Sequence, residues 1–286
     1  MLMRSLEAHD VPEAVLDAWE SHCGRELLPV QELAVKAGVL AGRSLLVSSP
    51  TSSGKTFVGE MAAIQAALSG RRVVYLVPTR ALAEAKYRQF CARYEPVGLS
   101  VAIATRDRRH QHDRVARGDF DLVVAVPEKL RALLAARPGL AEVIGTVVAD
   151  ELQVLADPER GPCLELLLGD LVAAAPELQV VGLSAVLGEA QQVAQWLGAE
   201  LLRDDRRPVE LRRGVLEGGS YHYRQHNDGA EGTEKWPELA EGPADPGERM
   251  AQVAAALAER DGSALIFVRD RRTTELMARA IAQMGQ

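Results

Sequence analysis

The feature that most restricts the fold is a short apolar run joined to a helical pattern by a loop of small residues. The run covers residues 45–48, the loop reads SPTSSGKT over residues 49–56, and the helical pattern continues to Leu68. A strand, such a loop and a helix in direct succession are the context of a phosphate-binding loop. The order predicts an α/β domain in which the loop meets the positive end of a helix.

The loop carries the groups that a phosphate-binding loop uses. Backbone N–H groups at the start of the helix would bind the β-phosphate, Lys55 would reach the β- and γ-phosphates, and the Thr56 hydroxyl would bind Mg²⁺. The predicted phosphate ligands are Thr51, Ser52, Ser53, Gly54, Lys55 and Thr56. Because Ser49 stands where the general pattern has its first glycine, an ordinary turn of small residues with a lone lysine is the alternative.

An acidic pair follows another apolar run. Residues 146–149 form the run, and Asp150 and Glu151 come directly after it. The first carboxylate of such a pair can hold Mg²⁺, and the second can orient or deprotonate the attacking water. The pair could instead be the N-cap and first-turn acid of a helix. We expect the catalytic arrangement, because a phosphate-binding loop lies one domain length upstream.

Strand and helix patterns alternate through the first two hundred residues. The predicted strands cover residues 44–48, 73–77, 101–104, 122–126, 146–149 and 180–183, and helices are predicted between them, for example at 79–94 and 161–175. Apolar runs without strict alternation suit strands that are buried on both faces. The repeated order of strand and helix predicts an α/β fold with a doubly wound, mostly parallel sheet.

The character of the chain changes after this α/β region. Residues 206–248 are rich in glycine, proline and acidic side chains, which indicates a connecting segment or linker. A helix over residues 250–260, a strand over 264–268 and a helix over 271–284 are predicted beyond it. We therefore expect a first domain at 1–205, a linker at 206–248 and the incomplete beginning of a second domain at 249–286.

Composition excludes several classes of protein. Hydrophobic residues make up 47% and charged residues 26%, the balance of an ordinary globular chain. The net charge of -7 argues against coating of nucleic acid by bulk electrostatics, so any polynucleotide contact must be local. We found no signal-peptide pattern and no apolar run that could span a membrane. With three widely spaced cysteines expected to be reduced, these features predict a cytoplasmic protein without a membrane partner.

Five motifs together resemble those of superfamily 2 helicases of the DEAD/DEAH-box type, in their Ski2-like branch. They read PTSSGKT at 50–56, PTRALAEAK at 78–86, VPEKL at 126–130, DELQ at 150–153 and LSA at 183–185. Their order and spacing are those of motifs I, Ia, Ib, II and III. The resemblance implies a RecA-like P-loop NTPase fold for the first domain. Residues 264–282 resemble motif IV and the following helix, which open a second RecA-like domain whose remainder is expected in the full-length protein.

The resemblance also implies cofactors and their residues. ATP and Mg²⁺ are the implied cofactors, with Glu151 and Lys55 as catalytic residues and with Thr56 and Asp150 as metal ligands. Gln31 lies where the family reads adenine, because an amide can pair with both the donor and the acceptor on the adenine edge. A surface glutamine on a helix is the alternative interpretation of Gln31.

Single-stranded RNA or DNA is the implied partner. The residues that would contact its backbone are Pro78, Thr79, Arg80, Thr105, Arg106, Pro127, Glu128 and Lys129. Solvated charges at helix ends are the alternative for Arg80 and Lys129. The arginine-rich stretch Arg106, Arg108, Arg109, Arg114 and Arg117 could extend this track or form a solvated helix face. The choice between RNA and DNA has no short sequence signature, since it depends on contacts to the 2′-hydroxyl.

Two positions depart from the family pattern. Gln153 stands where much of the branch has His, and Val186 stands where a Thr usually completes motif III. The family uses these positions, together with Ser184, to couple hydrolysis to strand movement through hydrogen bonds. Gln153 and Ser184 are therefore the predicted coupling residues, and Val186 lacks the hydroxyl donor that coupling normally employs.

The motifs favour an ATP-dependent nucleic-acid helicase or translocase, in which Mg²⁺-dependent hydrolysis is coupled to binding of a single strand. A helicase-like module that binds nucleotide without turnover is the second hypothesis. A P-loop phosphotransferase is a remote third, because motifs Ia, Ib and III have no role in such an enzyme. The family's motif VI arginines are absent from these 286 residues, so we expect this chain alone to hydrolyse ATP slowly.

Overall fold

The computed structural model describes residues 1–185, 187–207, 209–236, 239, 246–259, 263 and 265–284. Val186, the unusual position of motif III, lies outside the described residues, and so does Ala264. The chain divides into two compact units, Met1–Pro208 and Val209–Gln286. In the described part of the chain, no helix is long and apolar enough to cross a membrane.

The first unit is built on a seven-stranded sheet in which every neighbouring pair of strands is parallel. Its strands are β1 (Leu45–Ser48), β2 (Arg72–Leu76), β3 (Val101–Ala104), β4 (Leu122–Ala125), β5 (Ile144–Ala149), β6 (Gln179–Ser184) and β7 (Glu200–Arg203). Their order across the sheet is β3-β4-β2-β5-β6-β1-β7. The predicted fold class is confirmed.

Helices connect the strands of the first unit. They are α1 (Glu13–Cys23), α2 (Pro29–Lys36), α3 (Lys55–Leu68), α4 (Arg80–Tyr94), α5 (His112–Ala116), α6 (Pro127–Ala136), α7 (Gly139–Val143), α8 (Gly161–Ala174) and α9 (Ala190–Trp196). Short 3-10 turns are η1 (Met3–His9), η2 (Val39–Ala41), η3 (Arg109–Gln111) and η4 (Leu152–Ala156). The helices predicted at 79–94 and 161–175 agree with α4 and α8 to within one residue at each end.

Two hydrophobic clusters cover the two faces of this sheet. In β1, Leu45 and Val47 belong to one cluster, while Leu46 belongs to the other. Both faces of the strand are therefore buried, which explains why its sequence shows an apolar run without alternation. Strand β7 was not predicted, because its sequence is ELLR and its side chains are half-buried or exposed at the edge of the sheet.

A buried polar network fastens the helix that follows the phosphate-binding loop. The Glu60 carboxylate on α3 accepts a hydrogen bond from the Tyr94 hydroxyl and pairs with Arg93 at 2.7 Å. The indole N–H of Trp19 on α1 donates to the Tyr94 oxygen at 2.9 Å. Since Glu60 is only 3% exposed, these partners replace the water that its carboxylate loses on burial. The network ties α1 and α4 to α3.

The second unit contains a three-stranded antiparallel sheet and two helices. The strands are β8 (Arg212–Glu217), β9 (Ser220–Gln225) and β10 (Glu231–Lys235), and the helices are α10 (Pro246–Glu259) and α11 (Arg271–Met284). Gly218 and Gly219 join β8 to β9 with φ angles of 53° and 69°. Two consecutive positive φ angles are what a tight hairpin requires, and glycine adopts them at little cost.

Two predictions for this region differ from the structure. The segment 206–248, predicted as a linker, contains the sheet β8–β10. Its strands were not predicted because they are polar and mostly exposed and so lack the apolar pattern that marks a strand. The strand predicted over residues 264–268 is wrong for its described residues, 265–268, which form no strand. A strand needs a paired neighbour, and no described strand pairs with this segment, where Phe267 is 83% exposed.

Candidate nucleotide site and nucleic-acid groove

The phosphate-binding loop runs from the end of β1 to the start of α3. It turns through two left-handed residues, Ser52 with φ 69° and Gly54 with φ 87°. A Cβ atom at Gly54 would lie 2.4 Å from the Nε2 atom of Gln31. Only glycine fits here, since the backbone is left-handed and the space is already filled. Gly54 thus allows the loop to turn directly into the N-terminus of α3.

Several polar groups of the loop have no partner of their own. The hydroxyls of Ser49 and Ser53 are buried without a hydrogen bond. Lys55 is 5% exposed, and its ammonium group makes no hydrogen bond or ion pair with any described residue. Buried polar groups of this kind require a partner, and phosphate oxygens would provide it. The loop therefore fits the phosphates predicted from its sequence.

Gln31 is buried against this loop, so it is not a surface glutamine. Its side-chain oxygen accepts the backbone N–H of Leu28 at 2.8 Å, and its amide nitrogen donates to the Gly54 carbonyl at 3.1 Å. One N–H and one lone pair of the amide remain unused by these bonds. The structure places Gln31 beside the loop, and adenine recognition stays a prediction.

The acidic pair follows β5. Asp150 accepts the Tyr75 hydroxyl at 3.1 Å on one carboxylate oxygen and the backbone N–H of Glu151 at 3.0 Å on the other. Burial raises the pKa of the Asp150 carboxyl, because the charged form loses solvation. Glu151 adopts a left-handed φ of 57°, and its side chain makes no capping hydrogen bond to the turn that follows. Glu151 thus occupies the N-cap position of η4 without capping it through its side chain, and its catalytic role stays a prediction.

Motif I and motif II meet in one cavity. Thr56, Asp150 and Glu151 all line a cavity of about 300 Å³. No cluster of three His, Cys, Asp or Glu side chains that could hold a metal occurs among the described residues. Mg²⁺ does not need such a cluster, because it is usually held by one or two carboxylates together with substrate phosphates. The oxygen donors of Thr56 and Asp150 fit this ion.

Lys86, on α4, lines the same cavity, and its position was not predicted. Its ammonium group lies 5.4 Å from the centre of the Tyr75 ring and 5.2 Å from that of Phe90. Burial lowers the pKa of Lys86, and the nearby charges of Glu60 and Asp150 act in the opposite direction. Lys86 is the last residue of motif Ia, and the resemblance marks that motif only as one that binds the polymer. The sequence therefore contained no signal that Lys86 lies beside Asp150 and Glu151.

Gln153 connects the two motifs predicted to couple hydrolysis to movement. Its amide nitrogen donates to the Glu151 carboxylate. Its oxygen accepts the Ser184 hydroxyl at 3.0 Å and the backbone N–H of Ala185 at 3.3 Å. The structure thus brings motif II and motif III together through Gln153, although the residue differs from the histidine that the family commonly uses.

Motifs Ia and Ib line a second groove, of about 710 Å³, which shares Pro78 with the cavity. Its predicted members are Pro78, Thr79, Arg80, Arg106, Glu128 and Lys129, and its additional members are Arg109, His112, Val126 and Arg160. Thr105 and Pro127 do not line it, because both side chains are buried. The carbonyl of Thr105 instead lies 2.8 Å from the Nε2 atom of His112. Six of the eight predicted strand contacts therefore share one surface.

The arginine-rich stretch is divided between two roles. Arg106 and Arg109 line the groove. Arg108 makes two hydrogen bonds of 2.9 Å to Glu84, and Arg117 pairs with Asp119 at 2.8 Å. Arg114 donates to backbone carbonyls and to Ser100. Three of the five arginines thus bond to other residues of the protein. The row of arginines that line the groove does not continue along the whole stretch.

Comparison with known proteins agrees with this arrangement. The sequence matches the family model described as DEAD/DEAH box helicase over residues 28–193, which include both the cavity and the groove. It is 38% identical to the ATP-dependent DNA helicase Hel308 of Pyrobaculum calidifontis, over 96% of this chain and 37% of that protein. The Hel308 proteins of Methanocella arvoryzae and Pyrococcus abyssi are 33% and 35% identical, over 96% of this chain and 36% and 35% of their lengths.

The chain thus spans little more than a third of the curated relatives it matches. The match to the family model, over residues 28–193, includes more than half of the 286 residues. Fold, motif order and family match agree, and the chain belongs to the DEAD/DEAH box helicase family.

Proposed function

We propose that this chain carries the ATP-binding part of an ATP-dependent DNA helicase or translocase. The observation that carries the proposal is the single cavity lined by Thr56, Asp150 and Glu151, beside a phosphate-binding loop with unpartnered buried hydroxyls. DNA is preferred to RNA because the relatives described above are named DNA helicases. We also propose a cytoplasmic location, which the free thiols of all three cysteines support.

The residues divide the chemistry of hydrolysis among them. Lys55 and the N–H groups at the start of α3 would bind the phosphates. Asp150 and Thr56 would hold Mg²⁺, which when bound offsets the negative charge of the transferring phosphoryl group. Glu151 would orient the attacking water and accept its proton. The hydrogen bond from Gln153 fixes the side chain of Glu151 for this task.

The groove would bind the sugar-phosphate backbone of one DNA strand. Its cations and the N-termini of α4 and α6 can contact phosphates without reading bases. We expect weak binding that ignores sequence and falls with salt, by about 0.7 in log K per unit of log salt for each contacted phosphate of a single strand. A strong preference among base sequences would contradict this assignment.

We propose domain boundaries on the same basis. Residues 1–205 form the ATP-binding RecA-like domain, residues 206–248 connect it, and residues 249–286 begin a second RecA-like domain. The similarity of residues 264–282 to motif IV supports the last assignment. The sheet β8–β10 lies within residues 206–248 and belongs to the same compact unit as α10 and α11.

The proposal is tested by measuring ATP binding and hydrolysis with single-stranded DNA, with single-stranded RNA and without either. We expect Mg²⁺-dependent nucleotide binding that Lys55→Ala weakens and, in the full-length protein, hydrolysis that DNA increases. Binding without turnover by the full-length protein, with or without DNA, would favour a nucleotide-binding module. Transfer of phosphate to a small molecule would show a phosphotransferase, and failure to bind nucleotide would overturn the proposal.

A further inference from the structure

The groove includes an arginine that lies outside motifs Ia and Ib. Arg160 immediately precedes α8 and lines the groove together with Arg80 and Lys129. We propose that Arg160 binds a backbone phosphate of the DNA strand and that Asp157 holds it in place for this contact. The inference rests on the proposed function, since it assigns one more contact to the proposed groove.

Asp157 orients the guanidinium group of Arg160. One oxygen of Asp157 accepts hydrogen bonds from the Nε and Nη2 atoms of Arg160, at 3.1 and 2.7 Å. A guanidinium group has five N–H donors, so three remain for a ligand. The side chain of Arg160 is 43% exposed, which leaves those donors accessible. Because the guanidinium is already oriented, less side-chain entropy is lost when it binds a phosphate.

The backbone in turn orients Asp157. Its other carboxylate oxygen accepts the backbone N–H groups of Glu159 at 2.9 Å and of Arg160 at 3.0 Å. The bonds from Arg160 and from these N–H groups lower the pKa of Asp157 to about 2, so the carboxylate stays charged at any pH where the protein would be used. Asp157 therefore keeps the negative charge that pairs with Arg160.

The turn that carries the pair is packed tightly against η4. The N–H of Gly161 donates to the Asp157 carbonyl at 2.8 Å, and a Cβ atom at Gly161 would lie 2.3 Å from the Leu155 carbonyl oxygen. The backbone at the start of α8 therefore approaches η4 more closely than any residue with a side chain would allow. This contact limits the movement of Arg160 relative to the rest of the groove.

The charges of the groove favour a polyanion. Five of its lining residues are arginine or lysine, and only Glu128 among them is acidic. Arg106, Arg109 and Lys129 make no ion pair with any residue that the structure describes. Cations that line a concave surface without acidic partners attract phosphates and raise the local potential. Arg160 lines the same groove but is paired with Asp157, which, unlike the surroundings of Arg106 and Arg109, holds it in one orientation.

The test measures the affinity of the whole 286-residue chain for a short single-stranded DNA at several salt concentrations. We expect Arg160→Ala to weaken binding about three- to tenfold at low salt and to reduce the salt slope by about 0.7. The control is Arg137→Ala, which removes the same charge from an exposed position that does not line the groove. Arg160→Lys, which keeps the charge but lacks the planar fork, should bind with intermediate affinity.

Asp157→Asn separates direct contact from general attraction. This variant adds one unit of positive charge but loosens Arg160, so a direct contact predicts equal or weaker binding. Tighter binding would mean that only the net charge of the groove matters, and it would overturn the inference. An Arg160→Ala variant that binds like Arg137→Ala, with the wild-type melting temperature, would overturn it as well. If the wild-type chain does not bind DNA at all, the proposed function itself fails.

Discussion

The Asp150 carboxyl is buried, so its charged form loses solvation. Its carboxylate is largely buried, and the Tyr75 hydroxyl and the Glu151 N–H offset only part of the lost solvation. Because the pKa of Asp150 is higher in the folded than in the unfolded state, ionisation lowers the free energy of unfolding at neutral pH. That loss is recovered as the pH falls through the folded-state pKa. A bound cation would remove the same penalty.

We expect Asp150→Asn to stabilise the nucleotide-free protein while weakening Mg²⁺-dependent nucleotide binding. The amide has nearly the same shape and carries no charge to desolvate. The melting temperature without ligand should rise by a few degrees, the shift that about 1 kcal/mol produces in a domain of this size. Thermal unfolding with and without Mg²⁺ and ADP measures both effects. A lower melting temperature in the variant would show that the carboxylate is instead stabilising.

Lys55→Ala should weaken nucleotide binding and leave the fold intact. The ammonium group is buried without a described partner, so its loss leaves no unpaired charge behind. We expect ATP affinity to fall about 10- to 100-fold, as for the loss of a charged hydrogen bond. Lys36→Ala, at an exposed position paired with Glu32, serves as the control. A large fall in melting temperature for Lys55→Ala alone would indicate a structural role.

Glu151→Gln should retain nucleotide binding and lose hydrolysis. A glutamine at 151 can still accept the hydrogen bond from Gln153, but it cannot accept a proton from water. In the full-length protein, the DNA-stimulated rate should fall by at least about 100-fold, the lower range for loss of a general base. Steady-state hydrolysis and ADP affinity, measured on the same preparation, distinguish the two steps. Hydrolysis near the wild-type rate would exclude Glu151 as the base.

At the scale of elements, α8 contains two glycines in different surroundings. Gly161 begins the helix, and a Cβ atom there would lie 2.3 Å from a backbone oxygen of η4. Gly169 lies in the helix interior, and its Cβ atom would only touch Trp196 at 3.9 Å. The first glycine is needed for packing, while the second costs helix stability without a visible benefit.

These surroundings predict opposite effects for the same substitution. Gly161→Ala should lower the free energy of unfolding by about 1 to 3 kcal/mol, the usual cost of overpacking. Gly169→Ala should raise it by about 0.5 to 1 kcal/mol, because alanine loses less entropy in a helix. Chemical unfolding of both variants provides the comparison. Equal effects of the two substitutions would mean that α8 can shift away from η4.

The elements that could be predicted are those whose sequence shows their burial. Strands β1 to β6 are apolar runs because both of their faces are covered, and the motifs then mark which loops carry chemistry. The sheet β8–β10 could not be predicted, since its strands are exposed and its glycines resemble those of a linker. Lys86 could not be placed either, because its contact with the acidic cavity depends on how α4 packs against Tyr75 and Phe90.

At the scale of the molecule, the topology assembles the site. Motifs I, Ia, Ib, II and III follow or end β1, β2, β4, β5 and β6, and these strands are parallel. The carboxyl ends of parallel strands lie at one edge of the sheet, where ligands of open α/β sheets bind. Motifs separated by more than one hundred residues therefore meet. This convergence could be predicted from the sequence, because it requires only the order of elements.

Residues 1–207 should fold and bind nucleotide without the second unit. Both hydrophobic clusters, all seven strands of the parallel sheet and the phosphate-binding loop lie within them. We expect the shortened protein to unfold cooperatively and to bind ADP within about threefold of the affinity of the 286-residue chain, a difference below 1 kcal/mol. Circular dichroism and calorimetry provide the measurements. A shortened protein that is unfolded would show that the first unit depends on the second.

Gln153 gives the link between Glu151 and Ser184 a fixed polarity. An amide has one end that only donates and one that only accepts, and neither end gains or loses a proton in the range where proteins work. A histidine at this position would titrate near neutral pH and could exchange the roles of its two nitrogens. The Gln153 amide therefore carries no titrating proton, and its donor end faces the Glu151 carboxylate while its acceptor end faces the Ser184 hydroxyl.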